Sequence, residues 1–251
     1  MTTLFESEIE CAICGRKSKF VNIGSTNSFG SPDLDLRPPE MARSTIKMWV
    51  QSCPYCGYCA PDISESIDKA SEIIHSSDYK AQLKNQKFPE LANKFLCYGM
   101  IEENAGNYAK AGKAYVHAAW VCDDNSAISD TRYRIRYGCD ENSHLEDKNV
   151  IPEKSSPDPN ARECRMKAVA MFKKAKEYTQ SFAAEPLGEF ILMIDLLRRS
   201  GEFEQAMKLC DEVFREKTEK IISDIVRFEK TLINKSDIAC HTVAEATKDD
   251  K

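Results

Sequence analysis

Apolar and polar residues alternate in two short stretches of the first 60 residues. One is SKFVNI at residues 18–23, and the other is TIKMWVQ at residues 45–51, where Ile46, Met48 and Val50 occupy every second position. A period of two is typical of a β-strand that buries one face. The pattern therefore predicts two strands that pair as a small antiparallel ribbon.

The pattern changes to a helical period in DISESIDKASEII, residues 62–74. Asp62 followed by Glu65 three residues later matches a capping box, and the apolar positions after it fall on one helical face. These positions are Ile63, Ile67, Ala70 and Ile74. We therefore predict a helix that begins at Asp62.

Two later stretches each predict a pair of helices joined at a glycine. The first, residues 88–124, has Pro89 near its start and breaks at Gly106, and the second, residues 188–214, breaks at Gly201. Between them, RECRMKAVAMFKKAKEY predicts a helix that buries three apolar side chains: Val169, Phe172 and Ala175. The two glycine turns are similar, since Gly201, Phe203 and Ala206 match Gly106, Tyr108 and Ala111.

Two CxxCG sequences are the strongest chemical signal in the chain. Cys11 and Cys14 lie in CAICG, and Cys53 and Cys56 lie in CPYCG. This spacing places two thiolates on one side of a tight turn, where both can bind the same metal ion. The glycine after the second cysteine permits the positive φ that such a turn needs. Four thiolates complete a tetrahedral shell with no position for water or substrate, so we predict one structural zinc ion. The alternative is a redox CxxC motif, which needs only one pair.

The stretch between the cysteine pairs is longer than the roughly 15–20 residues of a typical zinc ribbon. Its Pro-rich part, GSTNSFGSPDLDLRPPEMARS, carries a set of charged residues that we consider as a possible ligand-binding site: Asp33, Asp35, Arg37, Glu40 and Arg43. Alternation places the first three on one side of an extended segment, where they either pair with one another or contact a partner. Cys59, just after the second pair, is interpreted as a buried cysteine, with substitution for a ligand as the alternative.

The first helix pair resembles a tetratricopeptide repeat, because large and small residues occupy the repeat's characteristic positions. These are Phe95, Tyr98, Gly99, Gly106, Tyr108, Ala111, Tyr115 and Ala118. The second pair departs from the repeat at Ile194, and the proline usual at the end of a repeat is absent, with Asp123 in its place in the first pair. The resemblance implies antiparallel helical hairpins with those aromatic rings inside.

The order of the elements predicts a mainly α protein with a small β zinc ribbon at its N-terminus and tetratricopeptide-like α-α hairpins. We expect a zinc-ribbon domain at residues 1–61, a helical domain at 62–246 and a charged tail at 247–251. The segment RPPEMARSTIKMWVQSCPYCGYCA, residues 37–60, with the helices after it, resembles a bacterial family of uncharacterised zinc-ribbon proteins. That resemblance implies an architecture and a bacterial setting, and no activity.

Charge and motifs limit the classes of function. The net charge is -5, and residues 1–60 contain six Lys/Arg and six Asp/Glu, which disfavours nucleic-acid binding unless Arg16, Lys17, Lys19 and Lys47 cluster. Another basic stretch alternates Arg132, Arg134 and Arg136 with Tyr and Ile, and we expect it to pack within the chain, with an edge that contacts RNA as the alternative. No apolar run is long enough for a membrane span and no secretory signal is present, so we expect a cytoplasmic protein whose 11 cysteines stay reduced.

Three functional hypotheses follow. The first is a non-enzymatic scaffold that binds another protein or peptide through its helices or its Pro-rich loop. The second is a nucleic-acid-binding zinc ribbon, and the third is a ligand-binding or hydrolytic site at the junction of ribbon and helices. No nucleophile elbow, phosphate-binding loop or HExxH sequence supports an enzyme.

Overall fold

A computed structural model describes residues 1–129, 158–215 and 219–248. Within them the protein is mainly helical, with small antiparallel hairpins near the N-terminus. The basic stretch that contains Arg132, Arg134 and Arg136 lies outside the described residues. The expected fold class is therefore confirmed at the level of helical content and N-terminal hairpins.

Three two-stranded antiparallel hairpins form the β-structure. Strand β1, Thr3–Glu10, pairs with β2, Lys17–Ser25, around the first CxxCG turn. Strands β3, Ser28–Phe29, and β4, Glu40–Met41, close the Pro-rich loop. Strands β5, Gln51–Ser52, and β6, Cys59–Ala60, pair around the second CxxCG turn.

The helices follow in chain order. Two short ones are α1, Ala70–Ile73, and α2, Ser77–Leu83. The body is formed by α3, Glu90–Asn104; α4, Tyr108–Ser129; α5, Pro159–Glu177; α6, Pro186–Arg199; α7, Phe203–Arg215; and α8, Lys220–Asn234. The last is α9, Val243–Ala246. Consecutive long helices pack on one another, and the contact between α4 and α5 is the most extensive.

Both predicted helix pairs form hairpins with the same turn. The N–H of Asn107 donates to the carbonyl of Glu102 at 2.8 Å, and the N–H of Glu202 donates to the carbonyl of Leu197 at 2.9 Å. In each turn the preceding glycine has a left-handed φ, 80° at Gly106 and 76° at Gly201. This is the Schellman ending of a helix, which glycine permits because it has no Cβ.

Two predicted elements differ in the structure. Residues 43–48 form a 3-10 helix instead of a strand, because Thr45, Ile46, Trp49 and Val50 pack inward with helical spacing. The ribbon strands therefore pair locally around each CxxCG turn, and not with one another across the loop.

The helix predicted from Asp62 is the second correction, since helix occurs only at Ala70–Ile73. The phenol of Tyr58 donates to the carbonyl of Glu65 at 2.8 Å and accepts from the N–H of Ile67 at 3.3 Å. Because these backbone groups already hydrogen-bond to Tyr58, they cannot also form the hydrogen bonds of a helix. Ile63 and Ile74 are nevertheless buried, as the apolar pattern predicts.

The main apolar core runs through the helical body and reaches the cysteine turns. Phe95 and Tyr115 are buried between α3 and α4, whereas Tyr98 and Tyr108 are only partly buried. The three predicted inward residues of α5 are fully buried: Val169, Phe172 and Ala175. A smaller cluster forms where Leu34 of the Pro-rich loop packs against α6, α8 and α9.

Two glycines permit the close approach of the central helices. A Cβ at Gly99 would lie 2.8 Å from Cδ1 of Tyr115, and a Cβ at Gly112 would lie 2.5 Å from Cδ1 of Phe172. Both distances are well inside van der Waals contact. The absence of side chains at Gly99 and Gly112 therefore allows the backbones of α3, α4 and α5 to pack closely.

We predict that Gly112→Ala destabilises the protein by about 1–3 kcal/mol, because the methyl group overpacks the contact between α4 and α5. Urea unfolding measures the loss. Gly188→Ala on α6 is the control, since its new Cβ would lie 3.3 Å from Cβ of Ala183 and a small shift relieves it. Phe172→Leu should recover part of the loss in Gly112→Ala, and equal stability of all variants would contradict the packing argument.

Candidate metal centre

The two CxxCG turns adopt the same backbone geometry. The N–H of Gly15 donates to the carbonyl of Cys11 at 2.8 Å, and the N–H of Gly57 donates to the carbonyl of Cys53 at 2.9 Å. Gly15 and Gly57 both have a left-handed φ, of 69° and 77°. This conformation directs the turn's N–H groups toward the sulfur of its first cysteine.

The four thiols converge on one point between the two hairpins. The Sγ atoms of Cys11 and Cys56 are 3.7 Å apart, and those of Cys14 and Cys53 are 3.6 Å apart. All four Sγ atoms lie within 4.8 Å of one another, and this group could hold a metal ion. A tetrahedron with metal–sulfur bonds of about 2.3 Å has edges of about 3.8 Å, which is close to the two shortest separations.

The electrostatics of the thiols follow from burial and from the turn N–H groups. Burial raises the pKa of Cys11, although the N–H groups of Cys14 and Ile13 favour its thiolate. Burial opposes ionisation of Cys53 too, but there the N–H groups of Cys56 and Tyr55, with the neighbouring thiols, lower the pKa. A cation between the sulfurs would favour the thiolate at all four positions.

The segment 61–69 connects the two turns. The N–H of Ala12 donates to the carbonyl of Ile63 at 2.8 Å, and the N–H of Ile63 donates to Oε1 of Gln51 at 3.1 Å. Ile63 therefore hydrogen-bonds to both hairpins. These two hydrogen bonds connect the hairpins that carry the thiol pairs.

Cys59 is buried beside the second turn and outside the four-thiol group. Its Sγ lies 3.4 Å from both Oγ of Ser52 and the carbonyl oxygen of Gly57. The thiol of Cys97 is the main group that lowers its pKa. These contacts agree with the interpretation of Cys59 as a buried cysteine.

The Pro-rich loop is anchored in the helical body. The N–H of Leu34 donates to the carbonyl of His241 at 2.9 Å, and the N–H of Val243 donates to the carbonyl of Pro32 at 2.9 Å. Leu34 inserts its side chain between helices α6 and α8. Residues 32–34 therefore lie between the C-terminal segment and the helices.

Asp35 is the most deeply buried charge of the loop, with an exposed fraction of 1%. Its Oδ2 accepts from Nη1 of Arg199 at 2.6 Å and from Nε1 of Trp120 at 2.8 Å. Burial opposes its ionisation, but the guanidinium groups of Arg199 and Arg165 outweigh burial and lower the pKa of Asp35. The carboxylate thus joins the loop to α4 and α6.

Asp123 extends this network to α5. Its Oδ2 accepts from Nη2 of Arg199 at 2.9 Å and pairs with the buried guanidinium of Arg165. Three helices and the loop therefore share one set of buried ion pairs. A separate buried set joins α6 to α8, where Nε of Arg198 donates to Oε2 of Glu229 at 2.7 Å.

The remaining charged residues of the loop also have partners within the chain. Asp33 pairs with Arg43 at 2.6 Å, and Nη2 of Arg37 donates to Oδ2 of Asp124 at 2.5 Å. Glu40 accepts a hydrogen bond from the hydroxyl of Ser44 at 2.8 Å. A ligand site built from these residues stays a prediction, and it would require buried ion pairs to open.

Sequence reasoning missed the partners on the helices. Asp123 stands where a tetratricopeptide repeat has its proline, and that departure was the only signal for it. Arg199, in a run of charged residues at the end of a helix, is typical of a solvated helix end. A buried arginine cannot be distinguished from an exposed one by sequence position alone.

No protein-family model, curated protein or solved structure matches this chain. Among the residues that the structure describes, no helix combines the length and apolar character needed to cross a membrane.

We predict that Asp35→Asn or Arg199→Met destabilises the protein by about 3–5 kcal/mol, because each leaves a buried group without its partner. Urea unfolding of both single variants and of the double variant gives the coupling free energy. The loss of unfolding free energy in the double variant should be smaller than the sum of the losses in the two single variants by at least about 1 kcal/mol.

The matched control is Glu90→Gln on α3, which breaks the exposed ion pair with Lys94 at 2.8 Å. Its cost should stay below about 0.5 kcal/mol, since exposed pairs are well solvated. Additive effects at Asp35 and Arg199 would contradict the network.

An aromatic cluster holds the 3-10 helix against α4. The ring of His117 lies 5.1 Å from that of Trp49, 5.0 Å from that of Trp120 and 5.2 Å from that of Phe95. Burial, with smaller contributions from Lys113 and Arg37, lowers the pKa of His117 to about 4. The imidazole is therefore neutral in the folded protein at pH 7.

We predict that His117 makes the protein less stable as the pH falls from about 6.5 to 4. The unfolded chain binds a proton near pH 6.5 and the folded chain only near pH 4, so the contribution is complete above pH 6.5 and disappears as the pH approaches 4. The expected loss of stability is about 3 kcal/mol, measured by urea unfolding across this range. His117→Phe should reduce the slope, and an identical slope in this variant would contradict the assignment.

Proposed function

We propose that this chain is a non-enzymatic zinc protein in which four thiolates fix a small ribbon to a helical scaffold for binding another protein or peptide. The observation that carries the proposal is the convergence of Cys11, Cys14, Cys53 and Cys56, whose shortest sulfur separations are 3.6 and 3.7 Å. Four thiolates favour zinc, and they leave no open position for chemistry. The metal would therefore stabilise the fold and would not take part in a reaction.

The helical hairpins support the scaffold part of the proposal. Their Schellman turns at Gly106 and Gly201 are the same, and their helices pack consecutively. We propose that they are degenerate tetratricopeptide-like repeats, which serve as binding scaffolds. The resemblance of residues 37–60 to a bacterial zinc-ribbon family agrees with this proposal and with a cytoplasmic setting.

Nucleic-acid binding is the less favoured alternative, because the basic residues of the ribbon are compensated. Lys17 lies opposite Glu10 and Lys19 lies opposite Glu8 in the β1–β2 pairing. Arg16 lies over the ring of Tyr55 at 4.9 Å, and this exposed pair is a feature of the described ribbon that favours nucleic acid. A salt-dependent mobility-shift assay with single-stranded RNA decides between the two.

We predict one zinc ion per chain, and none in the double variant Cys53→Ser, Cys56→Ser, because both replacements remove thiolate ligands. Metal analysis of the purified chain by mass spectrometry measures the content. Cys59→Ala is the control and should retain one zinc ion. Zero or two zinc ions in the unmodified chain would contradict the site.

Hydrogen exchange with and without a chelator extends this test to the domain division at residue 61, which stays a prediction. Zinc contributes on the order of 10 kcal/mol to the folding of small modules, so its removal should increase exchange in residues 3–25 and 49–60. The helices α3 to α5 should keep their protection. Loss of protection throughout the chain would show that ribbon and helices fold as one unit.

The binding role is tested by affinity capture from a lysate of the source cells, followed by reconstitution with each purified candidate. The expected result is a direct complex with a protein that the zinc-free double variant binds more weakly. Absence of any direct partner would contradict the scaffold role while leaving the zinc content unaffected.

A further inference from the structure

Strand β1 has one edge that no other strand of the described chain pairs with. It pairs with β2 on one side, and no backbone or side-chain group of the described residues hydrogen-bonds to its other edge. The strand is 8 residues long, and six of these are exposed. On the free edge, every second residue presents its N–H and C=O outward, which is a template for another strand.

A groove runs along β1. It has a volume of about 480 Å³ and is lined from Phe5 to Glu10 of β1, Glu6 excepted, and by residues of the segment after the second turn. Asn22 and Gln51 also line it, and Nε2 of Gln51 donates to Oδ1 of Asn22 at 3.1 Å. The groove therefore provides amides, carboxylates and a few apolar side chains for an extended segment.

The exposed face of β1 carries a row of acidic residues. Glu6, Glu8 and Glu10 occupy alternate positions and so project from the same face, and the last two also line the groove. Lys19 and Lys17 lie opposite the last two on β2, but Glu6 lies opposite Val21 and has no cationic partner there. A strand added on the free side would place its alternate residues beside this row, where Lys or Arg is favoured.

The same row argues against a second copy of this chain as the occupant. Antiparallel pairing of two β1 strands about a two-fold axis at Ser7 would place Glu6 of each copy opposite Glu8 of the other. Like charges directly opposite are destabilising in a sheet. Nucleic acid is disfavoured for the same reason, because the edge is acidic.

Apolar side chains mark the other end of the strand. Leu4 is 50% exposed and Phe5 is 53% exposed, and Val21 on β2 is 45% exposed. Leu4 lies opposite Ile23 in the pairing. An apolar residue at the matching end of an added strand would be partly removed from water by Leu4.

We infer that β1 binds an extended segment of another protein by strand addition, and that the segment carries Lys or Arg at alternate positions and an apolar residue beside Leu4. This inference rests on the proposed binding function and names its surface and the chemistry of its partner. Main-chain hydrogen bonds to β1 would supply affinity, and the acidic row would select basic sequences.

The test uses the full zinc-loaded chain and a fluorescein-labelled peptide in which lysine alternates with threonine and valine stands at the C-terminal end. Two derivatives are N-methylated on backbone amides. In the first derivative the methyl groups are on the lysine residues, and in the second they are on the threonine residues. In a bound strand only one of these sets faces β1, so fluorescence anisotropy should show affinities that differ by at least about tenfold. Equal affinities, or no binding of the unmethylated peptide, would overturn the inference.

Charge selection is tested with Glu6→Lys, which changes the one glutamate of the row without a lysine directly opposite it on β2. The variant should lower the affinity for the unmethylated peptide by at least about fivefold at low salt. Glu204→Lys on α7 is the matched control, because it makes the same charge change at an exposed residue far along the chain and should leave the affinity unchanged. Equal effects of the two variants would show nonspecific attraction and overturn the inference.

The zinc content of each sample separates this inference from the proposed function. A chain without zinc would contradict the proposed metal role before any peptide is added. A zinc-loaded chain that does not discriminate between the methylated peptides contradicts only the assignment of the surface to β1. A captured partner that binds Glu6→Lys and the unmodified chain equally well would place the interaction on another face.

Discussion

The buried carboxylate of Asp35 is the interaction on which the arrangement of ribbon and helices depends. Because it has almost no contact with solvent, its charge must be compensated within the chain, and Arg199 on α6 and Trp120 on α4 do so. Both partners are far away in sequence. The loop therefore reaches its position only when the helices are assembled, and the same ion pairs orient the helices.

The thiol centre is connected to this network through the chain itself. The loop that carries Asp35 begins after β2 and ends before β5, so its two ends belong to the two CxxCG hairpins. A two-stranded hairpin is marginally stable alone, and β5–β6 is only two residues long on each side. The hydrogen bonds of Ile63 connect these short elements, and a metal ion shared by the four thiols would hold them together.

This architecture gives the first hairpin a rigid base and a free edge. The first CxxCG turn connects β1 to β2, so a metal bound there would fix the strand that we infer to bind a partner. A preorganised strand loses less conformational entropy on binding than a mobile segment would. A structural metal and a binding role are therefore compatible, since the first supports the second without contacting the partner.

Local features could be predicted because they depend on neighbouring residues. The positions of the four cysteines, the glycine turns at Gly106 and Gly201 and the inward residues of α5 all follow from spacing and from backbone conformations that only glycine adopts easily. The tight turns and the amphipathic helices need no distant information. For these elements the sequence was sufficient.

Tertiary contacts decided the rest. The alternating stretch at residues 45–51 became a 3-10 helix because Trp49 packs on His117 and Trp120, and residues 62–69 were kept from forming a helix by hydrogen bonds to Tyr58 and Gln51. The sequence of the Pro-rich loop is the same whether its charged side chains are solvated or buried, so it does not distinguish the two cases. Their partners, Arg199 and Asp124, are distant in sequence, and only the packing of the helices brings them together.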